Sequence, residues 1–232
     1  MIPLRDDQPC FTTPWVNYFL IGVNLLIYLL QSALSPEGQN QLLAQFALIP
    51  THVELGLSGH AGGLLGAVLP LFTCMFLHGG WMHVLGNVWV LWIFGDNIED
   101  HLGHFSYLMF YLTCGVAAAA LHVALNWGSP VPTVGASGAI AGVMGAYMVL
   151  YPRARVSTVF PPFFFFTLPA RVVLGYWIGA QLFVGTLTRV ANAQRGDAGG
   201  IAFWAHVGGF LAGMVLIKIL PERAARYRYG TW

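Results

Sequence analysis

Charge is what this chain has least of: 8% of its 232 residues are Asp, Glu, Lys or Arg, where a soluble domain carries roughly a quarter. With 57% of the residues hydrophobic, that scarcity excludes an ordinary water-soluble domain and points to a chain built for lipid. The formal net charge is only +1, which gives no basis for a nucleic-acid partner. Cysteine is scarce as well. Cys10, Cys74 and Cys114 are too few and too far apart for a disulfide framework or a Cys-x-x-Cys metal or redox site, so they read as packing residues. A cleavable secretory signal is missing too: Arg5 is set against Asp6 and Asp7, and the apolar run from Trp15 reaches span length, so it reads as a retained first helix.

What is present is a series of apolar runs. Each spanning helix needs ~20 apolar residues, so this length holds about six or seven spans and no separate soluble domain. The sequence predicts spans at Trp15 to Ala33, Trp81 to Phe94, Phe105 to Leu125, Ser137 to Tyr151, Pro169 to Leu187 and Ile201 to Leu220. Asn40 to Ile49 reads as a short surface helix. Gly62 to Leu77 is apolar but broken by Gly62, Gly63, Gly66 and Pro70, and is expected as a loop element dipping toward the bilayer. The fold class expected is therefore all-α, a polytopic membrane protein of six spans. Its parts are a 1–14 N-terminal tail, a 15–220 membrane domain and a basic 221–232 C-terminal tail. The fourth helix is short; at ~1.5 Å per residue it covers only ~22 Å of a ~30 Å hydrocarbon core, so its first turn lies below the surface.

Six spans put both termini on one side. The termini and even loops hold Arg5, Arg153, Arg155, Arg171, Lys218, Arg223, Arg226 and Arg228, and the odd loops hold Arg189 and Arg195. Positive residues favour the inner side, which predicts both termini in the cytoplasm and the start of the fourth helix facing outward. The lean six-span form suggests a bacterial cytoplasmic membrane.

Polar groups inside hydrocarbon are costly, so those that occur there face the bundle interior and act. The candidates are His83, Asn87, Ser137 and His206. No Asp or Glu falls within a predicted span, which removes the carboxylate of a proton-coupled transporter and the third member of an acid-base-nucleophile triad; hydrolytic chemistry would need a dyad. Ser137 lies in Gly135-Ala136-Ser137-Gly138 at a helix N-terminus, where flanking glycines admit a substrate closely and free N–H groups face a developing oxyanion. Alone, that tetrapeptide could equally be a helix cap. Ala205, Gly209 and Gly213 form a small-residue ridge at spacing four, matched by Ser137, Ala141 and Gly145, and two such ridges pack backbones closely. That brings Ser137 near His206, at the ~2.6–3.2 Å a base needs; mere helix packing is the simpler alternative. His83 and Asn87, at i and i+4, share a helix face and could donate to one anionic oxygen, or could be a polar pair holding helices together. His78 and His83 lack the His-Glu-x-x-His spacing, so no metal or other cofactor is implied. His52, His60, His101, His104 and His122 receive no role.

In order along the chain, His78-x4-His83-x3-Asn87, Gly135-Ala136-Ser137-Gly138, and Ala205-His206 with Gly209 and Gly213 resemble the rhomboid intramembrane serine proteases, over about Trp15 to Leu220. The resemblance implies a six-transmembrane-helix rhomboid bundle in which Ser137 is the nucleophile and His206 the general base and acid. It implies that His83, Asn87 and the Ser137 amide bind the oxyanion, with His78, Gly135, Gly138, Ala141, Gly209 and Gly213 in support. Single-span membrane proteins, cut near the outer end of the span, are the implied substrates and the lipid bilayer the implied surroundings; the oligomeric state is left open. The Thr188 to Gly200 loop and the fifth span are the expected moving gate. Two positions depart from the family pattern: Leu69-Pro70-Leu71 stands where many relatives carry Trp-Arg, and Ala141 stands where some place an aromatic that stacks on the histidine. A rhomboid-like escort that binds membrane clients without cutting them is the rival reading.

Overall fold

The computed structural model describes residues 1–60, 62–160, 162, 164–195 and 202–223, and the side chains of all of these except 189–195. The side chains of Arg189 and Arg195, the stretch of the expected gate from 196 to 200, the first residue of the expected sixth span and the tail beyond Arg223 lie outside the described residues.

The chain is mostly helical. Helix α1 (Trp15–Ser32) carries Asn17, Asn24 and Gln31 seven residues apart, hence on one face, and all three are buried. Leu26, Leu29 and Leu30 on the outside are each more than half exposed. A helix with amides inward and leucines outward is suited to lipid, where polar groups turn to the bundle interior. Helix α2 (Pro36–Phe46) is started by Ser35, whose hydroxyl accepts from the Gly38 amide at 3.2 Å, with Pro36 in the first position. Helix α3 (Pro50–Leu57) follows. The stretch expected as a dipping loop is helix α4 (Gly63–Thr73), continued by a 3-10 turn at Cys74–Phe76. Pro70 sits inside α4, well past its first turn, so its missing N–H leaves the Gly66 carbonyl without its usual intrahelical donor. At the Leu77–Gly80 break the chain bends by 81° into α5 (Trp81–Leu102).

Helix α5 runs two turns past Phe94, where the span was expected to end. The acidic cluster is therefore helical, and a carboxylate does lie at its buried end. Glu99 is fully buried because it accepts from the backbone N–H groups of Val16 at 2.9 Å and Asn17 at 2.7 Å, and from His104 Nδ1. It thereby satisfies the first-turn donors that α1 leaves open. Helices α6 (His104–Leu125), α7 (Ser137–Leu150), α8 (Ala170–Arg195) and α9 (Phe203–Ile219) complete the helical set. Every residue of α7 from Gly138 to Tyr147 is buried, so this short apolar helix is the centre of the bundle, enclosed by α5, α6 and α9.

By length and composition α1, α6 and the 170–188 part of α8 can each cross a membrane, as can the bent α4–α5 pair if taken as one span; α7 and α9 are shorter apolar helices. The all-α expectation needs a correction. Strands β1 (Ile2–Asp6), β2 (Arg155–Phe160) and β3 (Phe164–Pro169) form an antiparallel sheet in the order β1-β2-β3, with β2 and β3 registered from Arg155↔Pro169 to Phe160↔Phe164. The Tyr147 hydroxyl donates to the Asp6 carboxylate, and Trp89 Nε1 donates to the Pro3 carbonyl at 2.7 Å, which tie the sheet to α7 and α5.

Candidate active site

The crossing of α7 and α9 brings the serine and histidine together. A Cβ on Gly209 would fall on the Gly138 carbonyl oxygen, one on Gly213 on the Gly142 carbonyl oxygen, and one on Gly145 on that of Phe210. The two backbones thus touch, as small-residue ridges allow. On α7 the ridge is Gly138, Gly142 and Gly145, one residue round the helix from the expected Ser137–Ala141–Gly145 except at the shared Gly145. This offset leaves Ser137 at the edge of the contact, beside a cavity, while Ala141 is fully buried.

His206 Nε2 and Ser137 Oγ are 2.7 Å apart, a hydrogen bond in which the hydroxyl donates when that nitrogen is unprotonated. His206 is 9% exposed and Ser137 half-buried. The cavity beside them has about 520 Å³ and is walled by α5, α7, α8 and α9; His83, Asn87, Ser137 and His206 all line it. No side chain caps the first turn of α7, whose first residue, Ser137, lines this space.

His83 accepts at Nδ1 from the Gly79 amide at 3.4 Å, which leaves Nε2 as the protonated nitrogen. That edge lies against Gly135, where φ is +128° and a Cβ would meet the ring at 2.7 Å; only glycine serves both demands. Asn87 lines the cavity and is buried, and its Nδ2 has no hydrogen-bond partner among the described residues, an unsatisfied donor beside the site. His78 is fully buried 5.1 Å from the His83 ring, edge to face, with neither ring nitrogen bonded among the described residues. It lines a neighbouring cavity rather than this one.

The strand-like segment before Ser137 is stapled in place. Leu48 and Thr133 exchange backbone hydrogen bonds at 3.0 and 2.8 Å, the Gly135 amide donates to the Cys74 carbonyl at 2.8 Å, and His122 Nε2 meets the Thr133 hydroxyl at 3.0 Å. Without Trp-Arg in the first loop, these contacts anchor it. His122, given no role from sequence, thus holds the segment that leads to Ser137.

Four polar residues escaped the sequence reading: Asn17, Asn24, Gln31 and Gln181 also sit in apolar helices. Gln31 clamps the backbone of His78, donating to its carbonyl at 2.6 Å and accepting from its amide at 3.2 Å. Gln181 Oε1 lies 2.8 Å from His206 Nδ1, and the Trp177 ring packs on the imidazole with centroids 5.6 Å apart and planes at 42°. The seven-residue spacing of the α1 amides was the available signal for the first three. Among the described residues no group of three His, Cys, Asp or Glu side chains is placed to hold a metal.

The family model of the Rhomboid domain matches residues 67–223, and the chain belongs to the rhomboid family. Among curated proteins it is similar to the human "Presenilin-associated rhomboid-like protein, mitochondrial", 33% identical over 150 residues, 64% of this chain and 36% of that protein. It is also similar to two Arabidopsis thaliana proteins. "RHOMBOID-like protein 1" is 28% identical over 222 residues, 88% of this chain and 52% of that protein; "RHOMBOID-like protein 5" is 30% identical over 188 residues, 81% and 55%. The chain spans about a third to a half of the length of these relatives. It is an integral membrane protein of this family.

Proposed function

We propose that the chain is an intramembrane serine endopeptidase that cuts single-span membrane proteins in or near their transmembrane segment. The observation that carries this is the 2.7 Å contact between Ser137 Oγ and His206 Nε2 at the wall of a cavity lined also by His83 and by Asn87, whose amide nitrogen has no hydrogen-bond partner among the described residues. Ser137 Oγ attacks the scissile carbonyl as His206 takes its proton. His83 Nε2–H, Asn87 Nδ2–H and the Ser137 amide then receive the oxyanion, donors set in advance of the reaction. On collapse, His206 returns the proton to the leaving amine, and water hydrolyses the acyl-enzyme by the same steps in reverse.

In this proposal the 15–220 region is a six-span bundle, made of α1, the bent α4–α5 unit, α6, α7, α8 and α9, flanked by the 1–14 and 221–232 tails. The short, enclosed α7 supports it: 14 residues rise ~21 Å, so Ser137 starts below the headgroups on one side while water reaches it through the cavity. The same proposal has both termini in the cytoplasm, supported by the eight-to-two distribution of Lys and Arg, and a bacterial cytoplasmic membrane as the site of residence. Helix α8, which lines the cavity with Trp177 and Gln181, is the element whose displacement would admit a substrate.

A fluorophosphonate probe tests the nucleophile directly. Ser137 is expected to be labelled in the wild type, not at all in Ser137→Ala, and far more slowly in His206→Ala. A folded wild type that is neither labelled nor able to cut any membrane substrate would favour the escort reading.

A further inference from the structure

An imidazole can accept the Ser137 proton at Nε2 only while its own proton sits on Nδ1, and a group must hold it there. The usual partner is a carboxylate. Here no carboxylate bonds the His206 ring among the described residues, and the titratable side chain that lines the cavity with it is His83 on α5. The atom that lies beside Nδ1 is Gln181 Oε1, at 2.8 Å. An amide oxygen only accepts, so this contact requires the proton on Nδ1 and leaves Nε2 bare toward Ser137. Trp177, four residues earlier and thus on the same face of α8, packs against the ring and limits its rotation. Ala141, which takes the place of a stacking aromatic, is too small to do so.

We propose that Gln181 is a positioning residue for His206: its side-chain oxygen fixes the imidazole in the tautomer that presents an unprotonated Nε2 to Ser137, with Trp177 as the wall that keeps the ring in plane. This rests on the protease reading for its consequence, but not for its geometry. Because both residues belong to α8, the orientation of the base depends on where that helix sits, so a movement of α8 that admits substrate also loosens the histidine until the helix returns.

Two substitutions and two readouts test it. Gln181→Met keeps the length and removes the acceptor. With a model single-span substrate in liposomes, kcat is expected to fall about 10- to 100-fold, as when the partner of an oriented imidazole is lost, with KM close to wild type. Gln181→Glu restores an acceptor and adds a charge that favours the imidazolium. It should recover most of kcat and move the acid limb of the pH–rate profile to higher pH. A residue that merely packs would give similar losses in both variants and leave that limb unmoved. The second readout needs no activity: 15N spectra of the His206 ring in micelles should show the Nδ1-protonated tautomer in wild type and a mixture in Gln181→Met. Wild-type kcat in Gln181→Met, or an unchanged ring spectrum, overturns the proposal. A wild type that cleaves nothing but shows the tautomer and its loss in Gln181→Met sinks the protease reading alone.

Discussion

Substituting Gly209 by alanine perturbs the α7–α9 crossing at its closest point. The new Cβ would land on the Gly138 carbonyl oxygen. Both sides of that clash are helix backbone, so no side-chain rotation relieves it and the helices must part by on the order of 1 Å to restore a van der Waals separation. Ser137 is the neighbour of Gly138 on one helix, and His206 is one turn before Gly209 on the other. Their 2.7 Å contact would then open past the ~3.5 Å limit of a useful hydrogen bond. A displacement of this size costs about 100-fold in kcat, and the overpacking costs about 1–3 kcal/mol of stability. Cleavage in liposomes, with thermal unfolding in detergent as the check on folding, measures both. Gly22→Ala is the control, because a Cβ there meets nothing within 4 Å. Folded Gly209→Ala that cleaves at the wild-type rate would refute the claim that this glycine contact sets the serine–histidine distance.

Asn87→Ala removes the unsatisfied amide donor beside the cavity and should lower kcat by about 10²–10³-fold with little change in KM; a raised KM with unchanged kcat would make Asn87 a substrate-binding residue instead. Burial holds the Asp6 carboxyl above the usual carboxylate range, against the opposing hydrogen bond from Tyr147. A raised group stabilises the fold most below its unfolded value near 4, and that stabilisation is lost as pH rises through the higher folded value. Asp6→Asn, always neutral, should therefore be more thermostable than wild type at pH 7 and equal to it in acid; lower stability at pH 7 would contradict this. Glu99→Gln leaves one of the two α1 amides facing a donor and should cost about 1–3 kcal/mol in detergent unfolding. The Cys10 thiol, pushed up to about 11 by burial and by Asp96 and Asp100, should react with maleimide at pH 8 on the order of 100-fold more slowly than an ordinary thiol.

Ser137, His206, His83 and Asn87 were legible in the sequence because the two histidines stand out within apolar runs, Asn87 lies one turn from His83, and Ser137 starts a helix between glycines. Gln181 and Gln31 stand in comparable runs yet are less legible, since neither lies one turn from a histidine on its own helix, as Asn87 does, and their partners are distant in sequence. The end of α5 was set too early because Asp96, Glu99 and Asp100 resemble a helix exit. Tertiary contact overrides that pattern when Glu99 meets the first amides of α1. The sheet was hidden because β1 is five residues long and pairs with a strand about 150 positions away, a contact with no local signature. Helix α4 was masked by Pro70 and its glycines.

The most direct test of the account is cleavage of a model single-span substrate by purified protein in liposomes, comparing wild type with Ser137→Ala and His206→Ala after each is shown to be folded. Cleavage by wild type and none by either variant is the expected result. Cleavage that persists in Ser137→Ala would contradict the dyad outright.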